Sequence, residues 1–192
     1  MSYFVKNILL FLFFIFSTFK AEAEEFWRFR YLIPTSTETE ISTNSNKSKT
    51  KLSTLGQRGN LIFFNGMGIG YSTFSKKGSI DNIYYKFLNH SLDLSYTIGD
   101  TFSFTFGIGQ LVYGKGELNK NEKNFITENS SGELLFFDIG LPFIIGELVI
   151  GYRQFFSEYN NYQTKVNNES IVLSDSVKLY SSQIDAGVGI LF

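Results

Sequence analysis

From Ser181 to Phe192 the chain alternates in character without a break. Ser182, Ile184, Ala186, Val188, Ile190 and Phe192 fall on one face, and Gln183, Asp185, Gly187 and Gly189 on the other. A period of two is the signature of a β-strand, whose successive side chains point to opposite sides. Here the two sides are unlike: one grows steadily apolar, while the other holds a carboxylate that cannot stand in oil. A strand written this way divides an apolar medium from a polar one.

The same period recurs upstream. Glu147–Glu158 sets Leu148, Ile150, Tyr152 and Phe156 against Glu147, Gly151 and Arg153, and Leu134–Leu141 sets Leu135, Phe137 and Ile139 against Asp138 and Gly140. Thr101–Tyr113, His90–Ile98 and Leu61–Phe74 follow the rule, as does Phe26–Ile41, where Trp27, Phe29, Tyr31 and Ile33 oppose Arg28 and Arg30. The partner of this first strand is expected over roughly Lys49–Leu55, a polar and poorly patterned stretch. Gly99-Asp100 and Pro142-Phe143 mark short turns, whereas Ser75–Leu88, Gly114–Gly132 and Tyr159–Val177 read as long polar loops. Short and long connections thus alternate around eight strands, which is the habit of transmembrane barrels. An aromatic content of 18% and only two prolines suit strands and membrane interfaces.

Lys6 precedes the apolar run Ile8–Phe16, and Ala21-Glu22-Ala23 follows. The run is about a dozen residues, short of the roughly 20 that a spanning helix needs, so residues 1–23 read as a secretory signal cleaved after Ala23. Residues 24–192 then form one domain, of usual size. The chain has no Cys, which excludes disulfides, thiolate chemistry and a lipid-acylated cysteine anchor. A net charge of −1 gives no reason to expect nucleic acid as partner, and one His without Cys implies no metal or other cofactor.

The ending Asp185, Gly187, Ile190, Phe192 resembles the carboxy-terminal assembly signal of bacterial outer-membrane β-barrels, and the mature chain as a whole resembles the small OmpA transmembrane domain and OmpX-like barrels. The resemblance implies an all-β, eight-stranded antiparallel up-and-down barrel in the outer membrane of a Gram-negative cell. It further implies contact with outer-membrane lipid and lipopolysaccharide, delivery by the barrel-assembly machinery, and a monomer. With the apolar faces turned inward instead, the same pattern would make a secreted lipocalin-like binding barrel. The polar faces, thin in Lys and Glu and rich in Gly, Ser and Thr, look more like a packed interior than a solvated skin.

In a barrel of eight strands the interior is just wide enough for side chains to fill. The inward charges expected are Arg28, Arg30 and Arg153 against Asp93, Asp138, Glu147 and Asp185. They should pair across the lumen, because an unpaired charge there costs several kcal/mol, and Arg153 with Asp185 is the expected pair. Such a network reads as a plug of salt bridges, giving a structural or surface-interaction barrel; the alternative is a small pore whose lumen charges set selectivity. The inward glycines Gly66, Gly68, Gly70, Gly107, Gly109, Gly187 and Gly189 would make room for Phe64, Phe136 and Phe155.

No catalytic residue is expected. His90, the single histidine, should face lipid headgroups among Tyr84, Tyr85 and Phe87, and a lipid deacylase would need Ser where Leu92 stands. Lys47, Lys49, Lys76, Lys77, Lys115, Lys120 and Lys123 are assigned to external loops, as a solvated surface or as bridges to lipopolysaccharide phosphates. The same loops could serve as adhesin or phage-receptor surfaces.

Overall fold

A computed structural model describes residues 27–43, 47–50, 52–63, 65–80, 83–99, 102–120, 123–143, 146–166, 169–173 and 176–192. The signal segment and Phe64 lie outside these. In chain order the strands are β1 (Arg28–Thr43), β2 (Lys47–Thr50), β3 (Ser53–Ile62), β4 (Met67–Ile80), β5 (Ile83–Ile98) and β6 (Ser103–Lys120). They continue as β7 (Lys123–Thr127), β8 (Ser130–Phe143), β9 (Gly146–Tyr159), β10 (Tyr162–Val166), β11 (Glu169–Leu173) and β12 (Val177–Leu191). The eight long strands pair antiparallel in the cyclic order β1-β3-β4-β5-β6-β8-β9-β12, and β12 closes on β1. At this seam Trp27 and Phe192 exchange backbone hydrogen bonds of 2.8 and 3.0 Å.

Alternation places Arg30, Arg58, Asp93, Asp138, Glu147, Arg153 and Asp185 inside, all buried. It places Phe29, Ile33, Ile69, Leu94, Phe104, Leu135, Ile150 and Ile190 outside, all exposed. Trp27, Phe102, Phe143 and Phe192 ring the end with short turns, and Tyr71, Tyr113, Tyr152 and Tyr180 ring the band's other edge. A continuous apolar belt between two aromatic girdles is a surface made for lipid. The outward turn of the apolar faces excludes the soluble lipocalin arrangement.

Beyond the tyrosine girdle the polarity inverts. Ile41, Leu52, Tyr85, Phe87, Leu118, Phe125, Tyr159, Tyr162, Val177 and Leu179 pack into one buried apolar cluster, while Lys77, Lys86, Lys120 and Lys123 point outward. Two β-bulges help to set this up. Thr35 is the extra residue of β1 against β12, and Val112 that of β6 against β5. Each extra residue flips the faces: Arg30 and Leu32 face inward below the first bulge, Thr39 and Ile41 above it. The extended ends, with β7, β10 and β11 added, form a turret with a water-soluble protein's polarity on top of a barrel with a membrane protein's.

Several expected boundaries move. The return strand expected over Lys49–Leu55 covers the end of β2 and the start of β3, both of which pair with β1, but the barrel strand itself runs on to Ile62. The strand expected over Leu61–Phe74 is split by a turn at Asn65 and Gly66, where Gly66 has φ +80°. Gly66 is thus a turn residue, not an inward one. The loop expected over Ser75–Leu88 is mostly strand, ending β4 and beginning β5, and those over Gly114–Gly132 and Tyr159–Val177 contain the rest of β6 with β7, β10 and β11. Polar turret surfaces imitate loop composition, and this hid the strands beneath.

Candidate functional site

The lumen charges are stacked in layers along the axis. In the layer nearest the short turns, Arg30 Nε donates to Glu147 Oε1 at 2.6 Å and its Nη2 to Oε2 at 3.0 Å, while Ser103 and Thr105 hydroxyls take further guanidinium bonds. Arg28, at the mouth, lies 3.6 Å from Glu147 and donates to the Gly99 carbonyl at 3.2 Å. One layer up, Arg58 pairs with Asp138 and lies over the Phe136 ring, its Cζ 4.1 Å from the centroid. Asp93 accepts from Asn60 Nδ2 at 2.9 Å. Above these, Arg153 donates to Asp185 at 2.9 Å and stacks 4.4 Å from Phe74, and Gln183 holds the second Asp185 oxygen at 2.8 Å.

The carboxylates fit because glycine faces them. A Cβ on Gly70 would stand 2.1 Å from Asp93 Oδ1, and one on Gly151 2.2 Å from Asp138 Oδ1. Gly107 does the same for Phe136, at 2.1 Å. Inward glycines therefore make room for charges as well as for rings.

All seven residues expected in the lumen network lie in the barrel's interior or at its mouth, and the structure brings Arg153 to Asp185. Arg58 and Asn60 join the network beyond the residues expected, because the second strand continues past Leu55 to Ile62; the alternation of Arg58, Asn60 and Ile62 is the sequence signal that marks them. Lys76 corrects an expectation. It is not a loop lysine but is 1% exposed inside the barrel, 5.6 Å from the Phe155 ring, with no hydrogen-bond partner for Nζ. Tyr85 and Phe87 likewise belong to the turret core, not to a belt around His90.

On the outer wall, the Tyr71 hydroxyl is hydrogen-bonded to His90 Nδ1, and the Tyr113 ring lies 5.6 Å from the imidazole. Farther out, Lys86 Nζ is 3.1 Å from Glu117 Oε2 and Lys115 Nζ 3.2 Å from Oε1. Burial pulls the Glu117 carboxyl up, but the hydrogen bonds and charges of Lys86 and Lys115 outweigh it and hold the group below its ordinary value.

The chain matches no protein-family model and no curated protein sequence. Among solved structures, Neisserial surface protein A superposes with a TM-score of 0.58 at 12% identity, over 88% of this chain and 98% of its own. The attachment invasion locus protein Ail of Yersinia pestis gives 0.51 at 12% identity, over 87% and 100%. The fold is that of the small outer-membrane β-barrels. In such a barrel the short turns lie on the periplasmic side and the long connections outside the cell, so the turret is the extracellular end and the Arg30–Glu147 layer the periplasmic one.

Proposed function

We propose that this chain is an integral outer-membrane protein whose lumen is sealed to ions and whose turret works as a surface for interaction, with no catalytic role. The observation that carries the reading is the stacked column of ion pairs, closed at its outer end by the apolar cluster of Phe87, Tyr159, Leu179 and their neighbours. A permeant ion would have to displace bidentate and ring-stacked arginines and then cross a dry aromatic layer. Outer-membrane lipid is the proposed partner of the apolar belt, lipopolysaccharide that of the outer rim, and the barrel-assembly machinery that of the strand ending in Asp185, Gly187, Ile190 and Phe192. A monomer suffices, since each strand of the ring is paired on both sides.

The test is twofold. Folded into detergent or lipid, the chain should migrate differently on gels before and after boiling, since a closed barrel resists detergent until heated. In planar bilayers the folded protein should leave the conductance at baseline. Discrete conductance steps that change selectivity in Arg153→Ala would instead establish the pore reading.

A further inference from the structure

All four arginines of the chain lie in the barrel's interior or at its mouth, so every cation on its outer surface is a lysine. The turret lysines are unevenly distributed. On one wall Lys77 of β4 stands directly opposite Lys86 of β5, and Lys86 directly opposite Glu117 of β6. Like charges facing each other across a ladder destabilise it. Glu117 is already shared between Lys86 and Lys115, and Lys77 has no ion pair among the described residues. On the opposite wall Lys178 meets Glu158 at 3.7 Å, one to one. Among the described residues, three ammonium groups against a single carboxylate leave a local excess of positive charge on the first wall, and Lys120 opposite Lys123 on β6 and β7 repeats the like-charge contact farther out.

Depth decides what can neutralise it. Counted along strands tilted by roughly 40° from the girdle residues Tyr71, His90 and Tyr113, Lys115 stands about 5 Å beyond the belt, Lys86 about 10 Å and Lys77 about 15 Å. The polar headgroup zone is about 5–8 Å deep on each side of a bilayer, and a lysine stem lies down along a surface to bring its ammonium lower. Below the lysines, on the same wall, come the Ser75 and Thr73 side chains, then His90 between Tyr71 and Tyr113. With Tyr71 occupying Nδ1, His90 Nε2 is left to meet a headgroup. The lane thus runs from an aromatic floor at the acyl boundary, past hydroxyls, to ammonium groups that bind phosphate as point charges.

We propose that the β4–β5–β6 wall is a binding lane for one phosphorylated, saccharide-headed lipid of the outer leaflet, its phosphate seated among Lys77, Lys86 and Lys115. The proposal rests on the outer-membrane reading and deepens its lipid partner into a site. The phosphate replaces the missing counter-charge of the Lys77–Lys86 pair, and membrane anchorage of the ligand holds it at that depth.

The test is native mass spectrometry of the folded barrel in zwitterionic phosphatidylcholine discs doped with lipid A, or with lipid A stripped of its phosphates. The wild type should retain lipid A over the stripped form by about tenfold. Lys77→Gln/Lys86→Gln/Lys115→Gln should lose that preference, and Lys178→Gln should keep it. The proposal is overturned by equal retention of both lipids, by a triple variant that behaves as wild type, or by an equal loss in Lys178→Gln. It is also overturned if soluble glucosamine phosphate competes as well as lipid A, since the source would then be the water phase. Gel mobility before and after boiling is read on every sample: an unshifted wild type would sink the barrel reading itself, whereas shifted proteins without lipid preference would sink only the lane.

Discussion

Arg58 shows what a single side chain does in this interior. Its guanidinium is held by Asp138 on one side and the Phe136 ring on the other, and both ionic partners are about 1% exposed. Removing one partner strands a buried charge, which costs about 3–5 kcal/mol, so Arg58→Ala should lower the urea stability of the lipid-embedded barrel by that order. Arg58→Met combined with Asp138→Leu should recover most of the loss, because a buried pair often breaks even against apolar residues of similar size. Equal losses in the single and double variants would show that the pair contributes beyond mutual neutralisation. Outside the membrane, Lys86→Gln should raise the Glu117 titration midpoint toward the ordinary carboxylate value, read from its side-chain carboxyl shift by NMR. The sign follows from the depressed value: the bridges stabilise the turret above the unfolded-state pKa, and the gain fades as pH falls through the lower folded one. Exposure keeps the gain to roughly a few tenths of a kcal/mol. Residues of this kind were partly legible beforehand. Arg153 and Asp185 could be paired because their strands are consecutive and clearly patterned, whereas Arg58 sits between Gly56 and Gly59 in a stretch whose alternation is diluted.

The strands carry two rules of polarity in one element, and the bulges help to join them. Thr35 and Val112 each add one residue, so a face that met lipid below becomes the face that lines the turret core above, or the reverse. In β6 that flip masks the outer half as a loop, whereas β4 and β5 keep one parity throughout and their outer halves resemble loops only through their polar outer faces. A search for alternation that assumes one constant parity loses the signal at the bulge, and a solvated outer face adds the Ser, Asn and Lys of a loop. The inner halves, with one medium on each side, were legible almost residue by residue. If the turret core is a separate apolar nucleus, Phe87→Ala should cost about 3–5 kcal/mol, felt mainly above the membrane. Limited proteolysis should then cut the β6–β7 or β10–β11 hairpins faster than in the wild type, while the gel shift on boiling persists. Loss of the shift would mean that turret and barrel form one cooperative unit. Deleting Val112 should act similarly, by turning Tyr113, Lys115 and Glu117 toward the core.

At the scale of the whole molecule, everything depends on one seam. β1 and β12 lie at opposite ends of the described chain, and their register runs from Arg28 against Leu191 to Thr43 against Val177. Gly187 sits where a Cβ would come within 2.0 Å of the Tyr31 carbonyl oxygen and 2.7 Å of the Leu32 Cα. These are backbone atoms that cannot step aside without parting the strands. Gly187→Ala should therefore impair closure, leaving a fraction of chains that migrate alike before and after boiling; a fully shifted variant would show that the seam can yield. The seam also has a kinetic meaning. Neighbouring strands elsewhere can zip as hairpins soon after they meet, but this pairing joins the most distant segments and must wait for loop-closure entropy to be overcome last. Until Phe192 finds Trp27, both sheet edges carry unpaired backbone groups, which hydrocarbon does not tolerate. The chain is thus obliged to stay guarded until its last strand arrives, and its insertion should be all or nothing.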